Sequence, residues 1–228
     1  MKNIIFDTGP IITLTMNNLL WLLEPLKRLS RAEFYITDLV KKELVDTPLN
    51  KTKRFKFEAL QVLHYIENGT LKVISTDEKQ TKKLLSIANS CFQAYGHNMR
   101  LIHDAEMSAI ALYLQKKADA FVVDEKTTRL LIENPGKLHN VLRHKLHTKV
   151  ELNNNHLKDF RKLAKGVRMI RSAELVTIAF EKGLLDRYLS KSTSSRKELL
   201  ESVLWGVKLN GSAVTKREIE QIVRMETK

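Results

Sequence analysis

With 228 residues, 43% of them hydrophobic, the chain is long enough for one ordinary domain with an appendage or for two small ones, and apolar enough for a sizeable core. The single cysteine, Cys91, excludes an intrachain disulfide and fits a reducing compartment, here read as the cytoplasm. The formal charge of +13 is uneven: residues 1–134 carry 19 Lys and Arg against 16 Asp and Glu, and residues 135–228 carry 20 against 10. A positive field concentrated in the last two-fifths either steers nucleic acid or an anionic membrane surface or is simply a solvated helical surface. The most apolar stretch, 11–23, is interrupted by Thr13, Thr15, Asn17 and Asn18, and Asp7 breaks the first apolar run early. Neither a membrane span nor a signal peptide is therefore expected, and the membrane is not a predicted partner.

In chain order, short runs rich in Ile, Val and Phe predict buried strands over 3–6, 34–37, 71–74 and 120–123. Helices are predicted between them. The first spans 10–23, with Pro10 in a tolerated first-turn position. Others span 38–45, 53–68 with Gly69 as its stop, and 77–95 stopping at Gly96. Within the last of these, Leu84, Leu85, Ile87, Ala88, Cys91 and Phe92 share a face, so Cys91 reads as core. A helix over 104–117 places Met107, Ile110, Ala111 and Leu114 on one side, and one over 125–133 ends at the turn signal Asn134-Pro135-Gly136. Residues 149–152 are a candidate fifth strand. After Asn153-Asn154-Asn155 the pattern is helical only, over about 156–164, 172–182, 196–207 and 215–225, with a low-complexity tract at Ser190–Ser195. Alternating strands and helices imply parallel pairing with right-handed crossovers. Residues 1–152 are thus expected to form an α/β domain and 153–228 a basic helical extension.

Four acids stand at strand ends or helix starts: Asp7 in N-I-I-F-D-T-G, Glu43 in L-V-K-K-E-L-V, Glu106 in H-D-A-E-M-S-A-I-A-L, and Asp124 in A-F-V-V-D-E-K-T-T-R. In a parallel sheet, residues just past the strand ends gather along one edge, where ligands bind. Carboxylates gathered there repel unless a hard divalent cation with oxygen ligands joins them, and a cation held this way in a basic chain points to chemistry on a polyanion. Each acid also has a plainer role. Asp7 suits an N-cap, Glu43 a helix surface with Asp46 as its rival, and Asp104 is the natural cap of the helix that Glu106 opens. Glu125 reads as an outer group beside Asp124. Thr8 and Thr127 are candidate hydrogen-bond donors to ligands or phosphate, and Arg129 a candidate phosphate contact or helix-surface ion pair. His139, His144 and His147 lack the cysteines or the spacing of a zinc site, and no glycine-rich phosphate-binding fingerprint for a nucleotide cofactor occurs.

Taken in order, Asp7-Thr8, Glu43, Glu106 and Asp124 resemble the PIN domain, whose hallmarks are an aspartate after the first strand, a glutamate on an early helix, an acid opening the helix before the fourth strand, and an aspartate ending that strand. Glu106 in A-E-M-S-A-I-A-L is similar to the prokaryotic branch with G-E-x-x-A-I-A-L, with Ala105 in place of the glycine. The resemblance covers about residues 1–152 and implies a parallel-sheet α/β/α sandwich. It also implies a metal-dependent nuclease acting on RNA, with Mg²⁺ or Mn²⁺ on Asp7, Glu106 and Asp124, and Glu43 partly through water. Many prokaryotic members are toxins paired with an antitoxin. They are typically little larger than the domain, so the extension departs from that pattern. RNA, an antitoxin protein and a second copy of the chain are the partners this reading leaves open, beside a non-catalytic RNA-binding module. A phosphatase of the haloacid-dehalogenase type, with Asp7 as nucleophile, requires an acid at position 9, where this chain has Gly9.

Overall fold

The computed structural model describes residues 2–189 and 195–227, so most of the serine-rich tract at 190–195 lies outside the described residues. In chain order the strands are β1 (Lys2–Phe6), β2 (Ala32–Thr37), β3 (Leu71–Ile74), β4 (Phe92–Ala94), β5 (His97–Asn98), β6 (Ala120–Val122), β7 (Val150–Leu152) and β8 (Met169–Ile170). The helices are α1 (Thr8–Met16), α2 (Leu23–Ser30), α3 (Asp38–Lys41), α4 (Thr47–Lys51), α5 (Lys56–Glu67), α6 (Glu78–Asn89), α7 (Asp104–Lys116), α8 (Lys126–Glu133), α9 (Pro135–Leu146), α10 (Asn154–Leu163), α11 (Ser172–Glu181), α12 (Arg196–Leu209) and α13 (Lys216–Glu226).

Five strands make a parallel sheet in the order β3-β2-β1-β6-β8. Successive side chains of a strand face opposite ways, and both faces of this sheet are covered. Phe6, Phe34, Ile36 and Val122 enter one hydrophobic core, while Ile5, Phe121 and Val123 enter the other. This is the layered α/β arrangement that near-continuous apolar strands require. From β1 the chain winds outward through β2 to β3, then returns to β6 on the other side of β1. The winding therefore reverses between β1 and β6, which opens a crevice beyond their carboxyl ends.

The fifth strand corrects the sequence expectation. Residues 149–152 do form a strand, but β7 pairs antiparallel with β4 in a separate three-stranded sheet, β5-β4-β7. The parallel sheet is completed by β8, a two-residue strand inside the region read as helix only. So short an element carries no periodicity, and its place comes from backbone bonds: Phe121 N–H donates to the Arg168 carbonyl at 2.8 Å and Val123 N–H to that of Ile170 at 2.9 Å.

Other boundaries moved for local reasons. The helix expected over 10–23 breaks at Asn17-Asn18, where Asn18 is left-handed (φ 55°), and resumes as α2. The helix expected to reach residue 95 stops at Asn89. Tyr95 and Gly96, both with positive φ, instead form the two-residue turn of the β4-β5 hairpin. Asn134-Pro135-Gly136 starts a helix rather than a loop: the Asn134 side chain caps the Lys137 amide at 2.9 Å and Pro135 opens α9, where its missing N–H costs nothing.

Helices α11, α12 and α13 pack on the first core. Leu175, Val176, Phe180, Leu200, Leu204 and Ile219 lie in one buried cluster with Ile11, Leu14 and Leu22. Arg171 locks this layer, reaching Glu174, Glu218 and the Ala213 carbonyl. Cys91 is buried, and burial pushes its thiol up to about 11. Among the described residues no helix is long and apolar enough to cross a membrane.

Candidate active site

Asp7 is the first residue beyond β1. Its amide continues the sheet by donating to the Val122 carbonyl at 3.0 Å, and its extended backbone (φ −81°, ψ 168°) opens α1. The carboxylate is 3% exposed, and among the described residues Oδ1 has no hydrogen-bond partner. The expected capping bond is not made. Burial, then the neighbouring Glu106 and, more weakly, Glu43 push its pKa up to about 8, although the amides of Thr8 and Gly9 pull the other way. Its Oδ1 has given up water without gaining a donor, a costly arrangement unless a proton or a cation supplies the missing charge.

Glu106 opens α7. Its Oε2 accepts from the His103 amide at 3.0 Å, and its Oε1 accepts from the Thr128 hydroxyl at 2.7 Å. Burial raises its pKa, against the pull of these two bonds and with a further push from Glu125. Asp104 is not the cap: His103 holds that position, and the exposed Asp104 pairs with Arg100 at 2.9 Å. Glu43 sits in a π-helical turn, Lys42–Asp46, between α3 and α4. Such turns re-aim a side chain within a helix. Here Glu43 Oε2 accepts from the Thr8 hydroxyl at 2.8 Å, which brings it to the start of α1 beside Asp7. A buried contact between the Thr37 and Ser108 hydroxyls, 2.6 Å apart, fixes the end of β2 against α7 and with it the spacing of Glu43 and Glu106.

Asp124, two residues beyond β6, is as buried as Asp7 but in the opposite condition. Oδ1 accepts from the Ser172 amide at 2.9 Å and from the Ser172 and Ser212 hydroxyls, each at 3.0 Å. Oδ2 accepts from the Thr13 hydroxyl at 2.9 Å. A carboxylate offers about four acceptor positions, two on each oxygen; among the described residues three donors crowd Oδ1, and Oδ2 keeps a position beside the Thr13 hydroxyl. Gly9 lies between the two aspartates: a Cβ there would stand 3.6 Å from Asp124 Cβ and 3.8 Å from Asp7 Oδ2. Thr13, Ser172 and Ser212 were not singled out from the sequence, since isolated hydroxyl residues in helices and the turns between them give no signal there. Of the secondary residues, Glu125 caps α8 through the Thr127 amide at 3.0 Å, and Arg129 pairs with Glu133 at 3.4 Å. The hydroxyl serving the acids on this side belongs to Thr128 rather than Thr127.

Among the described residues no three His, Cys, Asp or Glu side chains are already gathered in a ligating arrangement. The donors nonetheless suit a hard cation in their chemistry. The buried Asp7 and the half-buried Glu106 are carboxylates that repel each other, Glu43 adds a third, and Asp7 Oδ1 is a buried acceptor without a donor among the described residues.

A parallel α/β sandwich with acids set where the strand order reverses is the arrangement of a PIN-like fold. A family model described as "PIN domain" matches residues 3–136, and the chain belongs to that family. PIN domains are generally nucleases and typically use divalent metals. No curated protein and no solved structure matches the chain.

Proposed function

We propose that the protein is a cytoplasmic endoribonuclease that hydrolyses RNA phosphodiester bonds with the help of Mg²⁺ or Mn²⁺. The carrying observation is Asp7 Oδ1, a buried acceptor with no donor among the described residues, flanked by two further carboxylates at the sheet edge. In this reading Asp7, Glu106 and Glu43 hold the ion. A bound ion supplies Lewis-acid stabilisation and a more acidic water, the chemistry a phosphodiester requires.

The chain's own residues prepare the site. Thr128 and the His103 amide hold Glu106 with one oxygen each, and Thr8 orients Glu43. Burial of Asp7 keeps bulk water from its carboxylate. Asp124 was expected as a metal ligand. In this reading its bonds position the start of α1, and Asp7 with it, against α11, while Oδ2, with Thr13 as its one donor among the described residues, keeps a position for the ion. The positive charge of residues 135–228 draws the polyanion toward a centre that is itself acidic.

The test is cleavage of total cellular RNA in Mn²⁺ by the wild type and by Asp7→Asn. The wild type should cut, and chelation or the substitution should stop it. Intact RNA with the folded, Mn²⁺-supplied wild type would leave only a binding module.

A further inference from the structure

The segment Lys51-Thr52-Lys53-Arg54-Phe55-Lys56-Phe57 has no part in the acidic centre, and all seven residues are exposed. It holds four cations and no acid, and none of the ion pairs among the described residues involves those cations. Phe55 is 47% exposed and Phe57 69%. Two phenylalanines held in water among unpaired cations are not explained by packing.

The geometry is built rather than frayed. Phe55 has a left-handed backbone (φ 61°), an outlier for so bulky a residue. The turn is held from both sides: the Thr52 hydroxyl donates to the Arg54 carbonyl at 2.7 Å, and the Phe55 carbonyl accepts from the Ala59 amide at 3.0 Å. Arg54 lies over the Phe55 ring, 5.2 Å from its centroid. Phe55 lines a groove shared with Ile12, Met16, Leu44 and Glu43 of the acidic centre. Phe57 lines the next depression, with Trp21, Leu60, His64 and Tyr65. The two rings thus line two depressions, the first of which reaches Glu43, and the four cations flank the rings in the sequence.

We propose that residues 51–57 form a substrate-binding platform outside the acidic centre, on which Phe55 and Phe57 stack unpaired bases while Lys51, Lys53, Arg54 and Lys56 meet the phosphates. The ligand class follows from the chemistry. Cations call for a polyanion, and exposed rings call for π faces, which a single strand offers and a duplex keeps stacked inside. Ring contact tolerates any base, so the platform selects for unpaired strand rather than for sequence. This deepens the nuclease reading and rests on it for the identity of the strand as substrate.

The experiment uses the full chain in EDTA, so that binding is measured without cleavage. Fluorescence anisotropy follows a short, unstructured, labelled oligoribonucleotide and its blunt duplex. The double variant Phe55→Ala/Phe57→Ala should bind the single strand about 5- to 150-fold more weakly for each stack lost, while Phe57→Tyr keeps wild-type affinity. Lys53→Ala and Lys56→Ala should each flatten the salt dependence, by about 0.7 in the log–log slope. Because both rings are exposed, the variants should melt as the wild type does. If the double variant misfolds, the two lysine variants carry the test. Single-strand affinity unchanged in the double variant, with an unchanged salt slope in the lysine variants, overturns the platform and leaves the strip as a surface for a protein partner. The nuclease reading fails separately. Ring-dependent binding without cleavage in Mn²⁺ sinks that reading and keeps the platform, and cleavage with an unaltered KM in the double variant does the reverse.

Discussion

Asp7 and Asp124 carry the same side chain, equally buried, and the same substitution should move stability in opposite directions. Asp7 has its pKa raised from 3.8 to about 8. Between those values the folded chain retains a proton that the unfolded chain has released, so stability falls as pH rises through the window and levels off above it. Asparagine bears no such charge. In chelator, Asp7→Asn should therefore melt close to the wild type near pH 4. It should melt higher above pH 8, by about 2–4 °C for each kcal/mol recovered. A pH-independent difference in scanning calorimetry would contradict this. Asp124→Asn places an amide donor among four donors and forfeits charge-assisted bonds worth about 1.5–3 kcal/mol each. Its Tm should drop by at least about 3 °C. Thr128 is a third case: Thr128→Val leaves Glu106 Oε1 without its donor and should weaken Mn²⁺ affinity about 10- to 100-fold by titration calorimetry. For the third acid, Glu106→Gln should reduce cleavage more than Asp104→Asn, whose carboxylate faces Arg100 in solvent.

At the scale of elements, the helical and strand periods revealed what repeats and missed what is held by single contacts. The four core strands were legible because Ile4-Ile5-Phe6, Phe34 to Thr37, Leu71 to Ile74 and Phe121 to Val123 are apolar runs bounded by polar breaks. Three of the candidate acids were legible for the same reason, since Asp7 and Asp124 follow such runs and Glu106 opens an amphipathic helix, whereas Glu43, inside a helical stretch, stood out only in company with the others. The two-residue β8 was not, because its place depends on backbone bonds to β6. Nor was the β4-β5 hairpin, whose Tyr95-Gly96 turn falls at the end of a convincing helical pattern and reads there as a helix stop. The hydroxyls on Asp124 come from α1, from the first residue of α11, and from Ser212 between α12 and α13. Residues so far apart in sequence share no local pattern. These hydroxyls join the elements, so Ser172→Ala and Ser212→Ala should each destabilise by about 1.5–3 kcal/mol in urea titrations. Because both act on one oxygen, the double variant should depart from additivity. Strict additivity would mean that the two serines do not form one node.

For the whole molecule, the sequence reading separates residues 1–152 from a helical extension, whereas the packing binds the two. The extension supplies the fifth strand, three of the four donors on Asp124, and one wall of the core that covers α1. Composition alone hid this, because a basic, amphipathic tail looks the same whether its apolar faces meet the domain or another molecule. The consequence can be measured on the chain cut after Leu152. The cut uncovers the faces that Leu175, Val176, Phe180, Leu200, Leu204 and Ile219 bury against Ile11, Leu14 and Leu22. Each such side chain is worth about 1.5–3 kcal/mol when fully buried, so the six together are comparable to the roughly 5–15 kcal/mol that holds a typical domain together. Loss of Ser172 and Ser212 also leaves the buried Asp124 with Thr13 as its sole donor. Residues 1–152 alone should therefore bind a hydrophobic dye, show no cooperative melt, and fail to cleave RNA for want of a folded site. A fragment that melts cooperatively at the full-length temperature would show instead that the first 152 residues stand alone and that the extension is an accessory.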